Sequence, residues 1–146
     1  MATPTAYTDA QGQNNIDRNV RQYRDLDLFF AKIQSSKDIR KVTDIAAVKR
    51  SVRNLVLLNK YEKPFHPEIG SGIRSILFEN MSHIAAFTLT KMIEDVIGNF
   101  EPRVRLISVT ASPNLDRNEY EVTIEFFVVN TPTELVDLTV FLEVLR

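Results

Sequence analysis

Residues 82–106 read SHIAAFTLTKMIEDVIGNFEPRVRL, and the spacing of apolar residues changes inside this stretch. Ala85, Leu89, Met92, Ile93, Val96 and Phe100 recur at helical intervals and trace one face of a helix opened by Ser82. Gly98 stands where a residue in the left-handed conformation would stop that helix. Past Pro102 the period falls to two: Val104 and Leu106 alternate with Arg103 and Arg105, the pattern of a strand with one buried face. The fold class follows from this change of period at Glu101-Pro102-Arg103.

Downstream, SPNLDRN supplies a polar turn, and EYEVTIEFFVV places Tyr120, Val122, Ile124, Phe126 and Val128 opposite Glu119, Glu121, Thr123 and Glu125. That is an antiparallel hairpin. After TPT, the tail ELVDLTVFLEVLR alternates again, with Leu138, Val140, Leu142 and Val144 against Asp137, Thr139 and Glu143, and is taken as a third strand rather than a helix. Leu135 and Phe141 oppose the Leu138 series, so this strand is apolar on both faces and needs cover or a partner along its edge. Upstream, Thr43 or Asp44 can cap a helix over residues 43–60, with Ile45, Val48, Val52, Leu55 and Val56 as its buried stripe. Lys49, Arg50 and Arg53 give it a basic outer face. Prolines and glycines in YEKPFHPEIGSG forbid a regular element there, and a short helix or turn is expected over Ile73 to Phe78. YRDLDLFFAKI and Ile39 to Val42 suggest a short strand or hairpin. Helices followed by hairpin-connected strands define an α+β domain, its helices packed on one face of a small antiparallel sheet.

The totals narrow the function. A chain of 146 residues suits one hydrophobic core. Residues 1–17 carry almost no large apolar side chains and are expected to form a flexible arm ahead of one domain spanning 18–146. A formal charge of -1 removes the general electrostatic case for nucleic acid or an anionic membrane. Zero cysteines exclude disulfides, a thiol nucleophile and a cysteine zinc site. No segment approaches the ~18 apolar residues of a membrane span, and no cleaved export signal is expected.

Local chemistry is sparse. Glu101 and Arg103 flank a proline in an extended corner that points both to the same side, and on residues alone they read as two solvated charges. A glycosidase would pair Glu101 with a second carboxylate such as Glu68 or Glu79. His66 and His83 lack the second ligand at helical spacing that a metal site needs, and Gly70-Ser71-Gly72 lacks the Gly-Lys-Ser/Thr ending of a phosphate loop. Arg40, Lys41, Lys49, Arg50, Arg53 and Lys60 form a basic surface without the interleaved aromatics of a single-strand groove, which suits solvent or an acidic protein better than nucleic acid.

LDLFF, then VKRSVRNLVLLNKYEKPFHPEIGSGIRSILFENMS, then NFEPRVRL, in this order, resemble the baseplate wedge, or sheath-initiator, proteins of contractile-tailed bacteriophages, a family shared with the small baseplate subunit of type VI secretion systems. The resemblance covers residues 23–146. It implies a structural, non-enzymatic subunit without cofactor, in the tail baseplate of the virion and assembled in the host cytoplasm. Its implied partners are other wedge subunits and the tail sheath protein, near the tail tube, with six copies around the tail axis. Under this resemblance Glu101, Pro102 and Arg103 are the signature loop that docks on neighbouring subunits. The strands from 104 to 146, with Leu138, Val140, Leu142 and Val144 on the last, form a platform that sheath arms join by strand addition. A peptidoglycan-cleaving, lysozyme-like tail enzyme is the alternative.

Overall fold

Tyr120, Val122, Ile124, Phe126 and Val128 alternate down one strand, and all five are buried. In the computed structural model, which describes residues 23–35 and 37–145, that strand is the middle of a three-stranded antiparallel sheet. The sheet is ordered β3 (Val104–Asn114), β4 (Glu119–Val128), β5 (Thr131–Glu143). A smaller ribbon pairs β1 (Arg24–Leu26) with β2 (Lys41–Thr43), Arg24 facing Thr43. Helix α1 (Asp44–Leu57), a 3₁₀ helix (Ile73–Phe78) and helix α2 (His83–Phe100) complete the described residues. The expected N-terminal arm, residues 1–17, lies outside them.

The two helices cover one face of the sheet. Val48, Val52 and Val56 of α1 and Leu89, Ile93 and Ile97 of α2 meet the inward row of β4 together with Val136, Val140 and Leu142 of β5. Burying such side chains is the main favourable contribution to the fold, roughly 1.5–3 kcal/mol for each large one. Tyr120 is fully buried and its hydroxyl accepts from the Ser82 N–H at 3.3 Å, which fixes the start of α2 over the sheet.

Several local expectations change for identifiable reasons. Ser82 caps α2, its Oγ accepting from the Ala85 N–H at 3.1 Å. Gly98, however, is an ordinary helical residue, and α2 runs on to Phe100. The helix stops because Glu101 precedes proline and takes a non-helical backbone, φ -125° and ψ 78°. Thr43 occupies the N-cap position of α1 without a side-chain bond, being committed to β2; the Asp44 N–H goes to the Tyr23 carbonyl at 2.7 Å.

The β3–β4 turn is shorter than SPNLDRN suggests, because β3 continues through Pro113 to Asn114, a placement an edge strand tolerates. Val104 and Leu106 pack against the core as their alternation predicts, and a bulge at Ile107 then shifts the phase so that Val109 and Ala111 continue the inward row. Thr131 pairs with Val128, so β5 begins directly after a two-residue turn instead of beyond TPT.

Gly70 is the glycine the backbone requires. Its φ is +149°, and a Cβ there would lie 2.5 Å from the Asn59 carbonyl carbon. This close approach lets Ser71 close the end of α1: its N–H donates to the Leu58 carbonyl at 2.8 Å and its Oγ to the Val56 carbonyl at 2.7 Å. Gly70→Ala is expected to destabilise the protein by about 2 kcal/mol or more in urea unfolding. Gly98→Ala, with nothing within 4 Å of its added methyl, should stabilise it by roughly 0.5–1 kcal/mol. A loss of stability at Gly98 would restore the left-handed stop.

Candidate functional site

Pro102 turns the chain from α2 into β3 and sets Glu101 and Arg103 on the same side. Arg103 Nε donates to Glu101 Oε1 at 2.7 Å and Nη2 to Oε2 at 2.9 Å, a two-pronged bond between planar groups. The remaining guanidinium nitrogen, Nη1, donates to Asp25 Oδ2 in β1 at 3.3 Å. Ser51 Oγ in α1 donates to Glu101 Oε2 at 2.5 Å, and the Tyr23 ring lies 5.5 Å from the guanidinium carbon. Glu101 is only 4 % exposed. The reading of two solvated charges is therefore corrected: the corner is an internal ion pair that ties β1, α1 and β3 to the end of α2.

Electrostatics follow the geometry. Burial pushes the Glu101 carboxyl up, but the hydrogen bonds from Arg103 and Ser51 and the charge of Arg103 outweigh it and hold the group below the usual glutamate value. The bond to Glu101, opposed by burial, raises the Arg103 guanidinium above its ordinary value. A second acid lies close by. Asp27, 6 % exposed, is paired with Arg50 and accepts from the Phe29 N–H at 3.1 Å. That backbone bond, against burial and with help from Arg50, lowers its carboxyl. Arg50 also lies over the Phe29 ring at 5.2 Å, so it is not on the free basic face of α1 to which its spacing assigns it. Arg50 and Ser51, adjacent in α1, between them hold both acids.

These contacts border an open groove of about 760 Å³. Leu26 and Leu28, Leu55 and Leu58, Pro64 and Ile69, and Phe100 supply its apolar walls, with Glu101 and Arg50 alongside. Phe29 and Phe30 are 83 % and 64 % exposed. LDLFF therefore carries a run of large apolar side chains in water, held by the Asp27–Arg50 pair, of the kind that marks a protein-binding surface. Sequence reading missed Asp25, Asp27, Arg50 and Ser51 as parts of this site; the one available signal was the alternation of acids with apolar residues in RDLDLFF.

Elsewhere, Val140, Leu142 and Val144 of the tail face the core and Leu138 is half-buried, far along the chain from the corner. His66 Nδ1 lies 3.1 Å from Glu68 Oε1 on an exposed loop. Gly70-Ser71-Gly72 is occupied with the end of α1. Among the described residues no three His, Cys, Asp or Glu side chains gather as a metal site, and no helix is long and apolar enough to cross a membrane.

A two-layer α+β domain with a buried corner pair, an apolar groove and a one-sided sheet has the form of an interaction module. Residues 42–133 match the family model for baseplate wedge protein gp25, and the chain belongs to that family. It is 31 % identical over 104 residues to the baseplate wedge protein gp25 of Enterobacteria phage T4, covering 71 % of this chain and 79 % of that protein. Two solved structures share the fold. One is a putative tail lysozyme from Geobacter sulfurreducens, with TM-score 0.63 and 24 % identity, covering 68 % of this chain and 89 % of that one. The other is a chain of the anti-feeding prophage baseplate, with TM-score 0.60 and 17 % identity, covering 86 % and 88 %.

Glu101→Ala leaves Arg103 without its main partner and Ser51 without an acceptor. Since the Arg103 side chain keeps some contact with water, a loss of about 2–4 kcal/mol is expected in urea unfolding. The contribution of the pair is complete above pH 4.5, the ordinary value of this carboxyl, and is lost as pH falls through its lower folded-state value. Glu101→Gln should remove that part of the acid sensitivity. An unchanged stability in Glu101→Ala would return the pair to the solvated class.

Proposed function

We propose that this chain is a structural wedge subunit of a contractile tail baseplate, which links the inner baseplate to the first sheath ring and starts sheath polymerisation by accepting a sheath strand. The observation that carries this reading is the outer edge of β5. Within a fold shared with baseplate proteins, β5 pairs with β4 in unbroken register from Leu135 to Glu143, and its other side has no strand partner among the described residues.

An unpaired edge can be extended by backbone hydrogen bonding from another chain. Each such bond adds only ~0.5–1.5 kcal/mol net. Six subunits around one axis make the attachment strong, because after the first contact the others form at high effective concentration. Edge pairing also tolerates a change of angle, which suits an anchor that stays attached while the sheath contracts. Glu101-Pro102-Arg103 acts in the other direction, setting the walls of the groove on which neighbouring wedge subunits dock. The place of action is then the virion baseplate, near the tail tube, and no cofactor enters the role.

The lysozyme alternative has in its favour the fold shared with the putative tail lysozyme. Paired-acid chemistry needs one carboxyl kept protonated. Arg103 and Ser51 hold Glu101 ionised, and hydrogen bonds from its own backbone and from His66 likewise lower Glu68. This favours the structural role.

On adding sheath protein, amide exchange in β5 is expected to slow over residues 135–143 and not in β3. Unchanged exchange in β5 would overturn strand addition there. Leu28→Lys, at a groove residue already 58 % exposed, should cost less than about 0.5 kcal/mol of stability yet weaken binding to wedge partners at least tenfold. Unaltered binding would remove the groove from the docking surface.

A further inference from the structure

The outer face of the sheet carries an unusual arrangement of like charges. Register sets Glu125 directly opposite Asp137 and Glu119 directly opposite Glu143, and directly opposed like charges destabilise a strand pair. On β4 each acid has turned elsewhere. Glu125 accepts from Ser108 Oγ at 2.7 Å and Glu119 lies 3.7 Å from Arg117. Asp137 and Glu143 on β5 have no such partner among the described residues. Both are exposed and belong to the strand whose other side is open.

Three further features fix what that side accepts. The row of β5 that faces the core is apolar, with Val136, Val140 and Leu142 buried, and a groove of about 340 Å³ along the end of the strand has a mixed lining, Val56, Ile73, Leu77 and Leu142 beside Asn59, Ser71, Arg74 and Glu143. The outward face shows Leu135 just before Asp137 and Phe141 between Asp137 and Glu143, 51 % and 54 % exposed. The opposite edge of the sheet, β3, is protected by the bulge at Ile107 and by Pro113, whereas β5 from Leu135 to Glu143 has neither. A second copy of this chain is disfavoured, because two β5 strands paired antiparallel about Val140 would set each Asp137 against a Glu143.

Resting on the strand-addition reading, we propose that the β5 edge selects its incoming strand by charge. The partner is an extended segment with two Lys or Arg residues six positions apart on its outward face, opposite Asp137 and Glu143, and apolar residues on the inward face. At ~3.3 Å per residue the two acids lie about 20 Å apart along the strand. A basic side chain directly opposite each one is within pairing reach. The acids repel a second β5 and reward a basic strand, so one pair of residues supplies both the rejection and the attraction.

The test uses the full chain and two synthetic eleven-residue peptides of alternating Val and Thr, one with Lys at the third and ninth positions and the other with Glu there. Fluorescence anisotropy should show the Lys peptide binding at least tenfold more tightly at low salt, with the preference shrinking as salt rises. Asp137→Asn with Glu143→Gln should abolish the preference, and Asp137→Lys with Glu143→Lys should invert it. The inverted variant faces Glu119 and Glu125 with opposite charge, so its melting temperature is expected to match or exceed that of the native chain; a lower one would argue against the repulsion. Equal binding of both peptides, with β5 amides protected by each, overturns charge selection and leaves strand addition standing. If neither peptide nor sheath protein protects β5, strand addition fails and the selection with it.

Discussion

The Glu101 carboxylate lies under the end of α2 where water barely reaches it, and a charge in that position persists only while its lone pairs are filled. Arg103 fills two of them, and Ser51 a third. This one requirement brings together elements distant in sequence, since Ser51 stands fifty residues before Glu101 and Asp25 seventy-eight before Arg103. Remove Glu101 and the Arg103 guanidinium that also holds Asp25 of β1 loses its anchor, while α1 loses the Ser51 contact to the end of α2. The groove wall formed by Leu26 and Leu28 is held in addition by the Asp27–Arg50 pair that lies between them. A buried pair of this kind contributes less to net stability than to fixing one arrangement of the parts around it. Here the arrangement it fixes is the mouth of an apolar groove.

Separation of surfaces follows from the layering. Helices occupy one face of the sheet, so the inward rows of β4 and β5 are consumed by the core. Backbone edges and the outer face are what remain for partners. The groove opens on the helical side, between α1, the loop after it and the β1 segment. The two surfaces share no lining residue, so the proposed role leaves room for two partners at once. Pro102 marks the boundary: the residue before it ends a helix that faces the groove, and the residues after it begin the sheet.

How much of this could be read in the chain depended on range. The period of α2, the alternation of β4 and the 3₁₀ turn at Ile73–Phe78 are local signals, and the structure has all three. Gly98 misled because a glycine looks the same in sequence whether it ends a helix or sits inside one; the stop belonged to Pro102 acting on Glu101. Ile107 hid a bulge, since one extra residue leaves the apolar count of β3 unchanged and alters only its phase. Arg50 was placed with the solvated bases by its spacing on α1, and nothing in that spacing announces Asp27 across the fold. The corner motif was legible as a motif and illegible as a contact, because its partners come from β1 and α1.

That difference bears on what the acids of the chain do. Glu101 and Asp27 are spent internally, each matched by an arginine, and their ionised state is a condition of the fold. Asp137 and Glu143 are the opposite case, exposed on an edge strand with carboxylates of β4 across from them. If stability alone had shaped β5, a lysine at either position would relieve the repulsion at no cost to the core, since both side chains point away from it. Their presence is therefore better explained by what β5 meets than by how it folds. Under the proposed role, an edge that repels its own copy yet remains open to a basic strand would suit a subunit that begins a polymer it does not belong to.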